Sequence, residues 1–257
     1  MPIPLPSIEF DPGVVWKFLF NSVILEGAQR TLVVALIAQV LGVALGVVSA
    51  LMRMSKNPLL NGPANFYVWF FRGTPLLIQL LFWYNGVPQL FGGNPNVVHQ
   101  LTSFRVAIFG LAVNEGAYMT EIVRAGIESV EGGQMDAAKS LGMTYAMAMR
   151  RIILPQAFRV ILPPTGNEFI AMLKNSSLAF AIGLVELSNA ARSIYSVNYN
   201  VMELLVVASI WYLVMTSIFS LLQAELESRL SVGQRDRPPT LFGRMTEAFG
   251  TRETRVH

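Results

Sequence analysis

The sequence predicts an all-α integral membrane protein with five transmembrane helices. Three observations carry that prediction. The chain is 53% hydrophobic and 14% charged, with a mean hydropathy of +0.49, whereas a soluble domain carries about a quarter charged residues. Its apolar residues gather in uncharged runs of about 20 residues, enough to cross a bilayer core; "TLVVALIAQVLGVALGVVSALM" at 31–52 and "LLVVASIWYLVMTSIFSLL" at 204–222 are the clearest. Lysine and arginine favour alternate connecting segments, which is how the positive-inside rule orients a multi-pass chain.

Residues 1–20 read as an extracytoplasmic lead-in. "MPIPLPSIEFDPG" holds three prolines before residue 10 and no basic stretch ahead of an apolar core, so it predicts an irregular segment and not a cleavable signal peptide. Span one covers about Ile24–Met52. Within it Ala38, Gly42, Gly46 and Ala50 recur every fourth residue, which sets four small side chains on one face for close helix packing. Span two covers about Phe66–Leu90 and is interrupted by "RGTP" at 72–75, where Pro75 removes a backbone donor and predicts a kink.

Span three, about Phe104–Arg124, contains Asn114, Glu115 and Glu121. Span four, about Pro164–Leu187, has "MLKNSSL" at its centre, and span five lies at 204–222. The transmembrane domain is thus 21–230, and a basic tail occupies 231–257.

Arg53, Lys56, Arg124, Lys139, Arg150, Arg151, Arg159 and the arginines of the tail mark one side of the membrane. Lys17, Arg30, Arg105 and Arg192 mark the other. This bias predicts an N-terminus outside and a C-terminus in the cytoplasm. The loop at about 128–157 is then cytoplasmic. In it, Met135–Leu141 predicts a short helix with Gly142 as its left-handed stop. Thr144 predicts the N-cap of a second helix, through about Leu154, that ends near Pro155. Such a segment either seats in a groove of another protein or lies along the membrane face.

Composition narrows the chemistry. With no cysteine and only His99 and His257 for histidines, neither a metal site nor a thiolate nucleophile is expected. There is no G-x-x-x-x-G-K-[ST] phosphate loop, so ATP is not bound here by that cradle. Nor is there a Ser/His/Asp set for hydrolysis. No catalytic residue, chain-bound cofactor or nucleic-acid partner is expected.

Ionisable residues inside a span cost about 2.5–3.5 kcal/mol on insertion scales and point to function. Glu115 and Lys174 are the leading candidates for a substrate pathway, with Asn114, Asn175, Ser176 and Ser177 beside them and Tyr118, Thr74 and Gln79 as weaker ones. Lys174–Ser177 would break span four into half-helices whose backbone faces a cavity. The structural alternative is a Glu115–Lys174 ion pair or an outward-reaching Lys174. Glu121, Arg124 and Glu128, at i, i+3 and i+7, form either a brace or a solvated helix end.

"DAAKSLG", nine residues and "IILP" resemble the cytoplasmic signature of ABC-importer permeases: Glu-Ala-Ala, three residues, Gly, nine residues, Ile-x-Leu-Pro. Asp136, Ala137, Ala138, Gly142, Ile152, Leu154 and Pro155 occupy those places, with Asp for Glu the departure. "FRGTPLLIQL" at 71–80, "NEGAYMTEIVRAGIESV" at 114–130 and "LPPTGNEFIAMLKNSSL" at 162–178 are similar to the polar amino acid branch of that family.

The resemblance implies a permease subunit paired with a second one, identical or homologous. It implies docking of residues 135–155 on an ABC ATPase dimer, which carries the ATP and Mg, and delivery of an amino acid by an extracytoplasmic binding protein. It places the chain in the cytoplasmic (inner) membrane, in contact with lipid. An opine or osmolyte importer, a gradient-driven carrier and a non-transporting scaffold are the competing readings.

Overall fold

The computed structural model describes residues 10–230, at positions 97, 131 and 132 through the backbone alone. The predicted basic tail at 231–257 and the first nine residues of the lead-in lie outside the described residues. Every regular element among the described residues is helical.

The lead-in departs from expectation at Asp11. Its carboxylate accepts from the Gly13 amide at 2.7 Å, and Pro12 takes the first helical position. A capping acceptor followed by a residue of preset φ starts a helix, so α1, Pro12–Leu19, begins inside the last residues of the stretch at 1–13 for which an irregular course is predicted. Val15 and Leu19 pack into a core with Ile24, Leu187, Leu204 and Val207.

Helix α2, Ser22–Arg53, is capped by Asn21 and carries span one. Its four predicted small residues are all buried. They allow close approach to α7, Ser103–Ser140. A Cβ on Gly42 would stand 2.6 Å from Glu115 Cγ, and one on Gly46 would meet Met119 and lie 3.1 Å from the Gly116 carbonyl. The small face of α2 therefore lets α7 approach closely enough for Glu115 and Met119 to seat against its glycines, the close packing that membrane helices use in place of hydrophobic drive.

Span two is divided. α3, Pro58–Gly73, ends where Pro75 pushes Thr74 to φ −117° and ψ 144°. The predicted kink is thus a full break. The chain resumes as α4, Leu76–Leu81, a wide π turn at Phe82–Gly86, and α5, Val87–Leu90. α6, Pro95–Gln100, follows in the connecting loop.

Two sequence expectations fail in α7 and beyond. Met135–Ser140 is the end of α7, not a separate helix. The helix beginning at Tyr145 does not stop at Pro155. α8, Tyr145–Ala148, passes through a π turn at Met149–Ile153 into α9, Leu154–Asn175. Each π turn sits two residues before a proline, Pro88 or Pro155. Its wider winding moves aside the carbonyl that the proline ring would strike.

Span four is also broken elsewhere than predicted. Ser176–Ile182 tightens into a 3₁₀ turn that continues α9, and the chain leaves helical geometry at Gly183, φ 79°. Glu186 then caps α10, Leu187–Asn198, and α11 runs Val201–Leu230.

Residues 10–124 and 171–215 form one compact unit, and residues 125–170 and 216–230 form a second. Among the described residues three helices are long and apolar enough to cross a membrane: Ser22–Arg53, Ser103–Val130 and Val201–Leu230. The broken stretch Tyr145–Ile182 with Leu187–Asn198 makes a fourth. The 16-residue α3 is about 24 Å long at 1.5 Å per residue, short of the roughly 30 Å hydrocarbon core. The all-α membrane class holds, and the number five rests on the sequence.

Candidate functional site

The break at Thr74 leaves helix-terminal carbonyls that a membrane cannot hydrate. Side chains replace the water. Thr74 Oγ1 donates to the Phe70 carbonyl at 2.9 Å. Gln79 Nε2 donates to the carbonyls of Phe71 and Thr74, both at 3.0 Å, and to Thr74 Oγ1 at 2.8 Å. From α7, Asn114 Nδ2 donates to the Phe71 carbonyl and to Gln79 Oε1, each at 3.1 Å. Asn114 and Thr74, predicted for a substrate pathway, are thus joined through Gln79 around a helix break.

Glu115, one residue on, is 5% exposed and accepts from Gln39 Nε2 at 3.2 Å. Tyr67 donates to the Val113 carbonyl at 2.6 Å on the same stretch of α7. The predicted partners from span four stand apart from this group. Lys174 and Asn175 are exposed, and Lys174 forms no ion pair with Glu115 among the described residues. The hydroxyls of Ser176 and Ser177 turn back onto their own helix, donating to the carbonyls of Leu173 at 2.8 Å and Lys174 at 2.6 Å. They stabilise the change from α to 3₁₀ winding.

A second cluster escapes sequence reasoning. Glu121 Oε2 accepts from Arg124 Nε and Nη2 at 3.1 and 3.0 Å, the predicted i, i+3 pair. Its other oxygen is shared by Arg53, from the end of α2, and Arg72, from α3, at 3.3 Å from Arg72 Nη1. Arg53 also donates to Asn65 Oδ1 at 2.7 Å, and the Arg72 guanidinium lies 5.2 Å from the centre of the Tyr118 ring. These residues border a cavity of about 450 Å³ with Val68, Trp69 and Gly73. The signal available in the sequence was the pair of arginines inside or beside spans. A neighbouring apolar cavity of about 370 Å³ is bordered by Phe71, Thr74, Gln79 and Trp83.

In the second unit the predicted turn is built as the residue types demand. Gly142 adopts φ 80°. The Met143 amide donates to the Ala138 carbonyl at 3.1 Å, and the Gly142 amide donates to Lys139 at 2.9 Å, the paired bonds of a Schellman stop. Thr144 Oγ1 accepts from the Met147 amide at 3.3 Å. Inside, α7 and α9 meet where a Cβ on Gly126 would overlap the Ile161 side chain, with Ala157 fully buried.

Outside, large apolar side chains are uncovered: Leu141 is 82% exposed, Tyr145 55% and Phe158 58%. Of the signature positions, Asp136, Ala137, Gly142, Leu154 and Pro155 are exposed, Ile152 is half-buried and Ala138 is buried. Arg150 and Arg151 stand exposed beside them.

Comparison with known proteins follows this geometry. Residues 42–232 match the family described as binding-protein-dependent transport system inner membrane component. The arginine transport system permease protein ArgU of Corynebacterium glutamicum is 44% identical over 224 residues, covering 84% of this chain and 71% of the relative. The octopine transport system permease protein OccM of Rhizobium meliloti is 38% identical over 224 residues, covering 85% and 89%. A crystal structure of an amino acid ABC transporter with histidines superposes with a TM-score of 0.79 at 41% identity, covering 86% of this chain and all of that one.

Proposed function

The chain belongs to the family of binding-protein-dependent transport inner membrane components, a multi-pass permease subunit of an ABC transport system, and we propose that its cargo is a polar or charged amino acid. On this reading a separate extracytoplasmic protein delivers the solute. Two permease subunits, identical or homologous, form the pathway. ATP and Mg are bound and turned over on a partner ATPase dimer. The N-terminus lies outside and the C-terminus in the cytoplasm, as the arginine and lysine distribution favours.

The observation that carries the reading is the exposed apolar surface of Leu141 and Tyr145 on the turn that Gly142 and Thr144 build. With the turn on the cytoplasmic side, as the arginine and lysine distribution favours, apolar side chains there gain by being covered by a partner. Residues 135–155 therefore serve as the handle for the ATPase. Closing of the ATPase shifts the handle, and the helices that bear it move as rigid bodies between two arrangements. Glu115, with Asn114 and Thr74, forms the polar lining near the break in span two. There a buried carboxylate suits the ammonium of an amino acid.

The test is reconstitution with the partner ATPase and binding protein. Amino acid-loaded binding protein is expected to stimulate ATP hydrolysis and ATP-dependent uptake. ATP turnover indifferent to loaded binding protein refutes the reading. A second reading, an opine as cargo, is favoured by the octopine relative. Competition of labelled amino acids against an opine separates the two.

A further inference from the structure

We propose that the 450 Å³ cavity at Arg53 and Arg72 binds the carboxylate of the solute in transit. The proposal rests on the reading above, that the cargo is an amino acid or a close relative of one. It is carried by charge, geometry and shape together.

The cavity wall holds two arginines and one acid, Glu121. Both arginines use the same carboxylate oxygen of Glu121, and Arg124 holds the other. Two arginines and one carboxylate give the lining of the cavity a net positive charge. Such a lining attracts an anion.

Arg72 is suited to be the visited group. Its guanidinium has five donors in a fixed fork. The bond to Glu121 is its one carboxylate contact among the described residues, and its guanidinium carbon lies over the Tyr118 ring, 5.2 Å from the ring centre. Arg53 is tied twice, to Glu121 and to Asn65, and holds the Glu121 carboxylate in place.

Shape then selects an organic anion over a bare inorganic one. The volume lies within the range of small-molecule sites. Val68, Trp69 and Tyr118 give the cavity apolar and aromatic surface for the remainder of the molecule. An α-carboxylate on the Arg72 fork with the rest of the solute against Trp69 and Tyr118 uses both kinds of wall.

The experiment measures solute binding to the purified permease–ATPase complex in nanodiscs. The binding protein is left out because it would impose its own selectivity. The probes are the amino acid that the wild-type system takes up best and its decarboxylated amine. Wild-type complex is expected to bind the amino acid about tenfold or more tighter than the amine, the scale of one charge-assisted hydrogen-bond pair. Arg72→Gln is expected to weaken the amino acid by that factor and leave the amine unchanged, with Arg72→Lys between. Should Arg72→Gln fail to assemble, Arg72→Lys decides: reduced discrimination supports the proposal, and full wild-type discrimination overturns it.

Equal wild-type affinity for acid and amine overturns the proposal, as does full discrimination in Arg72→Gln. A defect seen only in bilayers with acidic phospholipid, and absent in pure phosphatidylcholine, assigns the cavity to a lipid headgroup and also overturns it. Failure of the wild-type system to take up any amino acid overturns the cargo assignment, and this inference with it. Uptake with carboxylate-blind binding overturns the inference alone.

Discussion

Replacing Gly142 tests the turn on which the proposed handle depends. Gly142 sits at φ 80°, and no heavy atom lies within 4 Å of the place a Cβ would occupy. A new side chain therefore meets no neighbour, and its whole cost is conformational. An L-residue in the left-handed region costs about 1–2 kcal/mol, which lowers the population of the formed turn about five- to thirtyfold. Asparagine tolerates that region and should cost less. Proline cannot reach it and also removes the amide that donates to Lys139, so its cost is about 3 kcal/mol or more. The assay is the affinity of the purified ATPase for the permease in nanodiscs, together with ATP turnover stimulated by loaded binding protein. Both are expected to fall in the order Gly, Asn, Ala, Pro, with Gly142→Pro inserted in the membrane but inactive. Wild-type coupling in Gly142→Pro, or Asn performing below Ala, would refute the reasoning.

Other positions give independent checks. Glu186 is fully buried and accepts from the amides of Ser188 and Asn189 at 2.8 and 2.9 Å and from the Tyr212 hydroxyl at 2.8 Å. Glu186→Ala orphans the Ser188 and Asn189 amides and should cost about 2 kcal/mol or more in thermal unfolding, with Glu186→Gln milder. Gly46→Ala places a methyl against Met119 and should destabilise by about 1–3 kcal/mol, whereas Gly62→Ala, with open space around it in α3, should stabilise by about 0.5–1 kcal/mol. Gln79→Leu removes the donor shared by Phe71 and Thr74 and should lower thermal stability by about 1–3 kcal/mol; an unchanged melting temperature would show that water replaces it. Glu115→Gln should change which amino acids are taken up more than it changes expression. Unaltered uptake across a panel of amino acids would remove Glu115 from the pathway.

The turn at 138–147 was legible because each position needs a residue type that few others satisfy: glycine for positive φ at 142, a hydroxyl cap at 144. The small face of α2 was legible from its four-residue period. The break at Pro75 was read only as a kink, because what completes it is distant: Asn114 lies 43 residues from the carbonyl it serves. Continuity of α7 was hidden by Gly132 and Gly133, whose poor helix propensity is overridden where Met135 and Ala138 pack. The convergence of Arg53 and Arg72 on Glu121 had no periodic trace, since Arg53 and Glu121 are 68 residues apart. Lys174–Ser177 misled because serines beside a charge suggest unwinding, while here their hydroxyls satisfy carbonyls one turn back.

The most direct measurement is site-specific crosslinking from the exposed turn. The chain has no cysteine of its own, so Leu141→Cys and Tyr145→Cys each supply a single reactive thiol. With an ATPase subunit carrying single cysteines across its membrane-facing surface, both positions should form a specific adduct that changes on ATP binding, and neither should react with an impermeant reagent applied to intact cells. Labelling from outside, or full ATP-driven uptake with the turn crosslinked to nothing, would contradict the assignment.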